Sequence, residues 1–233
     1  MVLPTLLLTR PADSAKAFAA SLNSSALSRV RLLIAPLMEI SSTGLTPSIA
    51  KTRGVIFTSA NGVVHAPKGN GRPAFCVGVQ TTEKAIAKGW AAQRVGNTAQ
   101  ELIATLLADP PDGPLLHLSG CHTRGDIAET LTAAGIATER VMIYEQKLLG
   151  LDAAARSALE GPCIVPVFSP RSAMQLAKEA HGQLEKACIV ALSEAVAAPL
   201  AGEKSHNLTV LPAPQAAIMR QTVENLCLNL SLP

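Results

Sequence analysis

Four serines stand where an apolar run gives out: Ser59 after "GVIFT", Ser119 after "LLHL", Ser169 after "CIVPVF" and Ser193 after "CIVAL". Three arginines, Arg10, Arg124 and Arg171, follow closely behind such runs. Hydroxyls, helix-start amides and guanidinium groups gathered at strand ends suit a polyanion held by many hydrogen bonds, rather than attack by one strong nucleophile. The same residues also serve as helix N-caps and solvated helix surface, and spacing alone leaves both readings open. The chain has a single tyrosine, Tyr144 in "VMIYEQ". Its phenol can hydrogen-bond or donate a proton to a ligand, or the ring can simply pack on a sheet.

Other chemistries lack their residues. There is no GxGxxG and no GxxxxGK[ST], so the usual phosphate cradles of dinucleotide and P-loop sites are missing, and "GNGR" from Gly69 reads as a turn. His117 and His122 flank Cys121, but no carboxylate or second cysteine stands at ligand spacing, and no metal or other cofactor is expected. No serine sits in a GxSxG elbow. The five cysteines are widely spaced with no CxxC pair, which suits reduced thiols. A net charge of +3 comes from scattered Lys and Arg, without the basic run that nucleic acid would call for. The apolar runs are far shorter than the ~20 residues of a membrane helix, and "MVLPTLLLTRP" has neither the basic start nor the cleavage site of a secretory signal. A cytoplasmic protein without nucleic-acid or membrane partners is expected.

The elements that must position these residues alternate. Short apolar runs at 6–9, 32–36, 55–59, 74–79, 115–119, 141–146, 164–169, 188–193 and 208–211 are separated by amphipathic stretches. Strands alternating with helices predict parallel sheets covered on both faces. Thr98 with Glu101 forms a capping box, and Ser169–Pro170, Thr46–Pro47 and Pro214 mark further helix starts. With 233 residues, 48% hydrophobic and 16% charged, the chain can bury one large core or two small ones.

Internal repetition favours two. "GVIFTSANGV" from Gly54 resembles "CIVPVFSPRSA" from Cys163, and "LLLTRPADSAKAFAASL" resembles "LLHLSGCHTRGDIAETL". "VGVQTTEKAIAKG" resembles "VALSEAVAAPLAG", and "TAQELIATLL" resembles "APQAAIMRQTVENL". Such pairs at nearly constant offset indicate a duplicated α/β domain. Open parallel sheets bind ligands at the carboxyl ends of their strands, where helix N-termini present unpaired N–H groups, so Ser59 and Ser169 are expected at equivalent rims of one cleft.

Taken in order, "LLLTRP", "APLMEI", "GVIFTSANGV", "FCVGVQTTEKAIAKGW", "LHLSGCHTRGDIAETLTAAGI", "VMIYEQ", "VFSPRSA" and "ALSEAVAAPL" resemble the successive motifs of the uroporphyrinogen III synthase family. The resemblance covers nearly the whole chain and rests on the order and spacing of individually loose motifs. It implies two flavodoxin-like, doubly wound parallel-sheet domains joined by two linker strands, near 32–40 and 141–149. The first domain would combine 1–35 with 148–233, and the second would span 36–147. It also implies a lyase that closes the linear tetrapyrrole hydroxymethylbilane to uroporphyrinogen III with loss of water. The N-terminal segment would then complete the domain built by the later units.

Carried over by that resemblance, Tyr144 is the candidate to assist loss of the hydroxyl. Ser59 and Asn61 in "FTSANG", Thr81 in "VGVQT", Ser119 and Ser169 are candidate substrate contacts, with Arg10, Arg124 and Arg171 beside them. Two departures stand out. "ALSEA" replaces the family's second glycine-threonine motif, so Ser193 is only an approximate match and Glu194 is acidic where an anion should be welcome. The stretch "HAPKGNGRPAF" is shorter than the helix and loop usual after "FTSANGV". A monomer that receives its substrate by hand-over from hydroxymethylbilane synthase is expected. Two other readings of a two-domain cleft are a binding protein of the periplasmic type without catalysis and a Rossmann-like enzyme for a nucleotide-bearing substrate. The missing export signal and the missing glycine fingerprint weigh against them.

Overall fold

The computed structural model describes residues 3–121 and 125–229. Arg124 and His122, both singled out in the sequence, lie outside these residues. In chain order the elements are β1 (Thr5–Leu8), α1 (Ala12–Ser21), α2 (Ser24–Leu27), β2 (Arg31–Ile34), β3 (Met38–Ser42), β4 (Gly54–Phe57), α3 (Ala60–His65), β5 (Pro73–Val77), α4 (Val79–Ala87), β6 (Ala91–Gly96) and α5 (Ala99–Ala108). There follow β7 (Leu115–Gly120), α6 (Ile127–Ala133), β8 (Thr138–Leu148), α7 (Ala153–Leu159), β9 (Cys163–Val167), α8 (Pro170–Ala180), β10 (Ala187–Ala191), α9 (Glu194–Ala197), β11 (Asn207–Val210) and α10 (Ala216–Asn229).

The chain forms two compact units, one from residues 1–39 and 147–233, the other from 40–146. The first has a five-stranded sheet in the order β11-β10-β9-β1-β2, and the second a six-stranded sheet in the order β3-β8-β7-β4-β5-β6. The core strands pair in parallel in both, as in Leu6 with Leu32 and Ile56 with His117. Reading β9, β10, β11, β1 and β2 against β4, β5, β6, β7 and β8 gives the same spatial order. This is the duplication visible in the sequence, with β1 and β2 supplied from the N-terminus to a sheet whose other strands come from the C-terminal third.

Each sheet is covered on both faces, which is why its central strands carry no polar alternation. In the first unit Leu7, Val165 and Ile189 pack against Leu159, Leu176 and Val196, while Leu6, Leu8 and Val190 pack against Phe18, Met219 and Val223. In the second, Phe57 and Leu118 meet Val63, Ala85 and Trp90, whereas Ile56 and Leu115 meet Leu102, Leu106, Ile127 and Leu131.

Local signals succeed where a cap is backed by an apolar stripe. Ser169 caps α8 with Pro170 in its first turn. The Thr98 hydroxyl accepts from the Glu101 amide at 3.1 Å, but the Glu101 carboxylate takes the Asn97 amide at 2.8 Å rather than that of Thr98, so the box closes one residue early. No helix begins at Thr46–Pro47. That stretch offers only Ile49 to a core, and Arg72 instead holds it as a loop by donating to the carbonyls of Ile49, Ala50 and Thr52. The expected continuous strand over 32–40 is two strands: β2 belongs to the first unit's sheet, and β3 pairs with β8 after a break at 35–37. Hydrogen bonds from Leu149 N to Leu37 O and from Thr43 N to Ile143 O, 3.0 and 3.2 Å, show that β3 and β8 run antiparallel, and these two strands carry the chain between the units. Strand β6, "AAQRVG", was not signalled, because as an edge strand it is largely exposed and lacks an apolar run. The expected turn at "GNGR" is present, with Asn70 and Gly71 both at positive φ.

Candidate active site

In the second unit the sequence candidates lie at or just beyond the carboxyl ends of β4, β5 and β7, and on β8 at Tyr144, which pairs with the last residue of β7. Ser59, two residues past β4, has extended backbone and caps α3, its hydroxyl accepting from the Asn61 amide at 3.2 Å. Helix α3 reaches the sheet closely because Gly62 carries no side chain; a Cβ there would stand 2.8 Å from the Leu118 carbonyl oxygen. At the other end of α3, His65 lays its ring against Tyr144 of β8, with centroids 5.7 Å apart and planes inclined by 21°. Lys88 closes this helix by donating to the carbonyls of Val63 and Val64. Burial first, and the Lys88 charge second, hold His65 below the ordinary imidazole range, so the ring against Tyr144 is neutral.

Tyr144 is 4% exposed, and Gly120 at the end of β7 lies beneath its ring. Ser119, one residue earlier, is buried, and its hydroxyl accepts from Arg140 Nε at 3.0 Å. Its neighbour on the same strand, His117, is also buried, with Nε2 3.3 Å from the Thr58 hydroxyl and Nδ1 without a partner among the described residues. Burial, reinforced by the Arg140 charge and partly opposed by that of Glu129, lowers its pKa to about 4. Thr81 is buried in the first turn of α4, a helix that starts from Gly78 at a φ of 77°.

In the first unit Arg10 follows β1, and its guanidinium carbon lies 4.0 Å from the centroid of the Phe168 ring, just after β9. Phe18 of α1 supports that ring edge-on at 5.1 Å. Burial lowers the Arg10 pKa, and the aromatic face compensates part of that desolvation. Next in the chain, the Ser169 hydroxyl accepts from the Ser172 amide at 3.1 Å and donates to the Ser172 hydroxyl at 2.9 Å. Arg171 is half-buried at the start of α8. Ser193 begins the one-turn α9, where it makes no side-chain cap hydrogen bond, and Glu194 beside it is exposed.

Several hydroxyls predicted to meet a ligand therefore also work within the fold: Ser59 and Ser169 as caps, Ser119 as a partner of Arg140. Sequence reasoning missed His65, Gly120, Arg140 and Phe168. No local pattern marks them, since each matters through a contact distant in sequence. Among the described residues no cluster of His, Cys, Asp or Glu is arranged to hold a metal ion, and no helix is long and apolar enough to cross a membrane.

The class defined by these features is a protein of two like, doubly wound parallel α/β units, each with hydroxyls at its strand ends. Residues 26–219 match the family described as uroporphyrinogen-III synthase HemD, and the chain belongs to this family of hydro-lyases in tetrapyrrole biosynthesis. The fold is similar to that of uroporphyrinogen-III synthetase from Helicobacter pylori, at 16% identity and a TM-score of 0.66 over 96% of this chain and 100% of that one. A mutant uroporphyrinogen III synthase from Thermus thermophilus is matched at 12% identity and a TM-score of 0.49 over 95% and 98% of the two chains. No curated protein sequence is matched.

Proposed function

We propose that this chain cyclises hydroxymethylbilane to uroporphyrinogen III, with Tyr144 assisting departure of the ring A hydroxyl as water. The observation that carries the reading is the family match over residues 26–219. The chemistry asks little of any one residue. Electrons from the ring A pyrrole nitrogen expel the hydroxyl, a proton from the phenol completes the departing water, and an azafulvene cation remains. Ring D attacks through its substituted carbon to give a spiro intermediate, which opens and recloses at the other carbon, inverting the ring; that carbon then loses its proton, which restores the pyrrole and balances the proton given by the phenol. The same cation left alone closes at the free carbon and gives the symmetric isomer I, so the enzyme's task is to hold one conformation.

Arg10 and Arg171, the helix-start amides behind Ser59 and Ser169, and the hydroxyls of Thr81, Ser119 and Ser193 are the proposed carboxylate contacts, with Asn61 beside them; Arg124, outside the described residues, is added on the sequence resemblance alone. Support for those among the described residues comes from their positions near strand ends and from the packing of Arg10 on Phe168. Tyr144 is supported by the fixed placement of its ring against His65. The protein works as a cytoplasmic monomer, consistent with five free cysteines, and takes its unstable substrate directly from hydroxymethylbilane synthase.

The test generates hydroxymethylbilane in situ, oxidises the products and separates the uroporphyrin isomers. A shift from isomer I to isomer III on adding this protein is the expected outcome. Unchanged isomer I with folded protein and fresh substrate overturns the reading and leaves ligand binding without catalysis. Tyr144→Phe with full rate and unchanged isomer ratio would remove the acid role alone.

A further inference from the structure

Strand β8 breaks its own alternation at the residue that matters most. Successive side chains of a strand point to opposite faces. Val141 and Ile143 pack with Phe57 and Leu118, and simple alternation would send Tyr144 to the other face. Tyr144 instead joins the same core cluster as Ile143. The cause is a shift of register against β7: Ser119 pairs with Met142, but the next residue, Gly120, pairs with Tyr144, leaving Ile143 extra. Bulges of this kind bend a strand and re-aim a side chain, and they are rare in parallel pairs.

A bulge needs its displaced backbone groups held. The Cys121 amide donates to the Tyr144 carbonyl at 3.0 Å. From Arg140, which lies beside His117 in the register, Nη2 donates to the carbonyls of Gly120 and Cys121 at 2.9 and 3.1 Å, while Nε donates to the Ser119 hydroxyl at 3.0 Å. One rigid guanidinium fork thus grips three consecutive residues at the end of β7, and charge-assisted bonds from a planar donor set constrain both distance and angle. Gly120 is the residue on which the tyrosine ring lies.

We propose that Arg140 is a positioning residue for Tyr144: by holding residues 119–121 of β7 it maintains the bulge that turns the only tyrosine onto the face of His65. Lysine, whose three donors all leave one nitrogen, cannot hold the hydroxyl and both carbonyls in the geometry of the planar fork. The proposal rests on the catalytic reading of Tyr144, and its test includes a readout independent of turnover.

That readout is the spectrophotometric titration of the phenol, which reports Tyr144 alone because the chain has no other tyrosine. Arg140→Met and Arg140→Lys in the full chain are compared with wild type and with Tyr144→Phe for phenol titration, kcat, KM and isomer ratio. The expected result for Arg140→Met is unchanged far-UV dichroism, a displaced phenol titration and a kcat lower by ~10- to 100-fold with KM nearly constant, the scale that misplacing a catalytic group produces. Arg140→Lys recovers part of each. If Arg140→Met does not fold, Arg140→Lys carries the test, and a wild-type titration and kcat there overturn the proposal. A fall in kcat with an unmoved titration overturns it as well. A displaced titration beside a fully active Tyr144→Phe keeps the positioning role and rejects the catalytic reading of Tyr144 instead.

Discussion

Gly120 lies directly beneath the ring of Tyr144, so closely that a Cβ built on it would stand 2.6 Å from both Cε2 and Cζ of the ring and 3.0 Å from the hydroxyl oxygen. On the ring's other surroundings there is little room to yield, because Tyr144 is 4% exposed and stacks with His65. Gly120→Ala must therefore displace the ring or the end of β7. The expected cost is about 1–3 kcal/mol of stability, typical of overpacking, together with loss of isomer III formation. Denaturant unfolding and the isomer assay measure the two effects, and a variant with wild-type stability and product would show that the ring moves freely.

Burial of His117 makes the second unit sensitive to acid. Its folded pKa of about 4 lies below the ordinary value of 6.5, so between these values the unfolded chain binds a proton that the folded chain does not. Stability is unaffected where the imidazole is neutral in both states, above about pH 6.5, and falls as the pH drops from there toward about 4. With roughly 1.4 kcal/mol per unit, the whole decline amounts to about 3 kcal/mol. His65, shifted in the same direction, adds to it. Urea unfolding across this range should show the slope, and His117→Gln should flatten it; an unchanged slope in the variant would assign the acid sensitivity to other groups.

How far the fold could be read in advance follows from what local sequence encodes. Buried central strands such as "LLLT" and "CIVPV" announce themselves, because parallel strands covered on both faces need continuous apolar runs. The family resemblance, in agreement with the repeat, implied the chain order in which β1 completes the sheet of β9 to β11. Edge strand β6 and the break between β2 and β3 carried no such mark, being set by which sheet each segment joins. For the site, strand-end serines and arginines were legible as hydroxyls and charges. The partners that decide their geometry, Phe168 under Arg10, His65 against Tyr144 and Arg140 on Ser119, come from other elements and leave no periodic trace.

Arg10 offers a test of whether the first unit takes part in substrate binding as proposed. Its guanidinium is packed on Phe168 rather than spread in solvent, so removal should act on ligand affinity more than on the fold. Arg10→Gln is expected to raise KM by ~10-fold or more, the equivalent of losing one charge-assisted hydrogen bond, with kcat changed less. Raising the salt concentration should narrow the gap between variant and wild type. A fall in kcat at constant KM would mean that Arg10 acts on the reacting ring instead.

Ser169 and Ser193 separate capping from binding, because they occupy equivalent strand ends but only one of them is used by its own helix. Ser169 accepts the Ser172 amide at 3.1 Å, whereas the Ser193 side chain makes no cap bond. Ser169→Ala should accordingly lower stability by about 0.5–2 kcal/mol, and any loss of activity must be read against that. Ser193→Ala has no cap to lose, and its stability should stay within about 0.5 kcal/mol of wild type. An increase in KM for Ser193→Ala at unchanged melting temperature would therefore report a lost substrate contact directly. Wild-type kinetics there would instead remove Ser193 from the site and leave α9, with Glu194 at its start, as structural covering for the sheet.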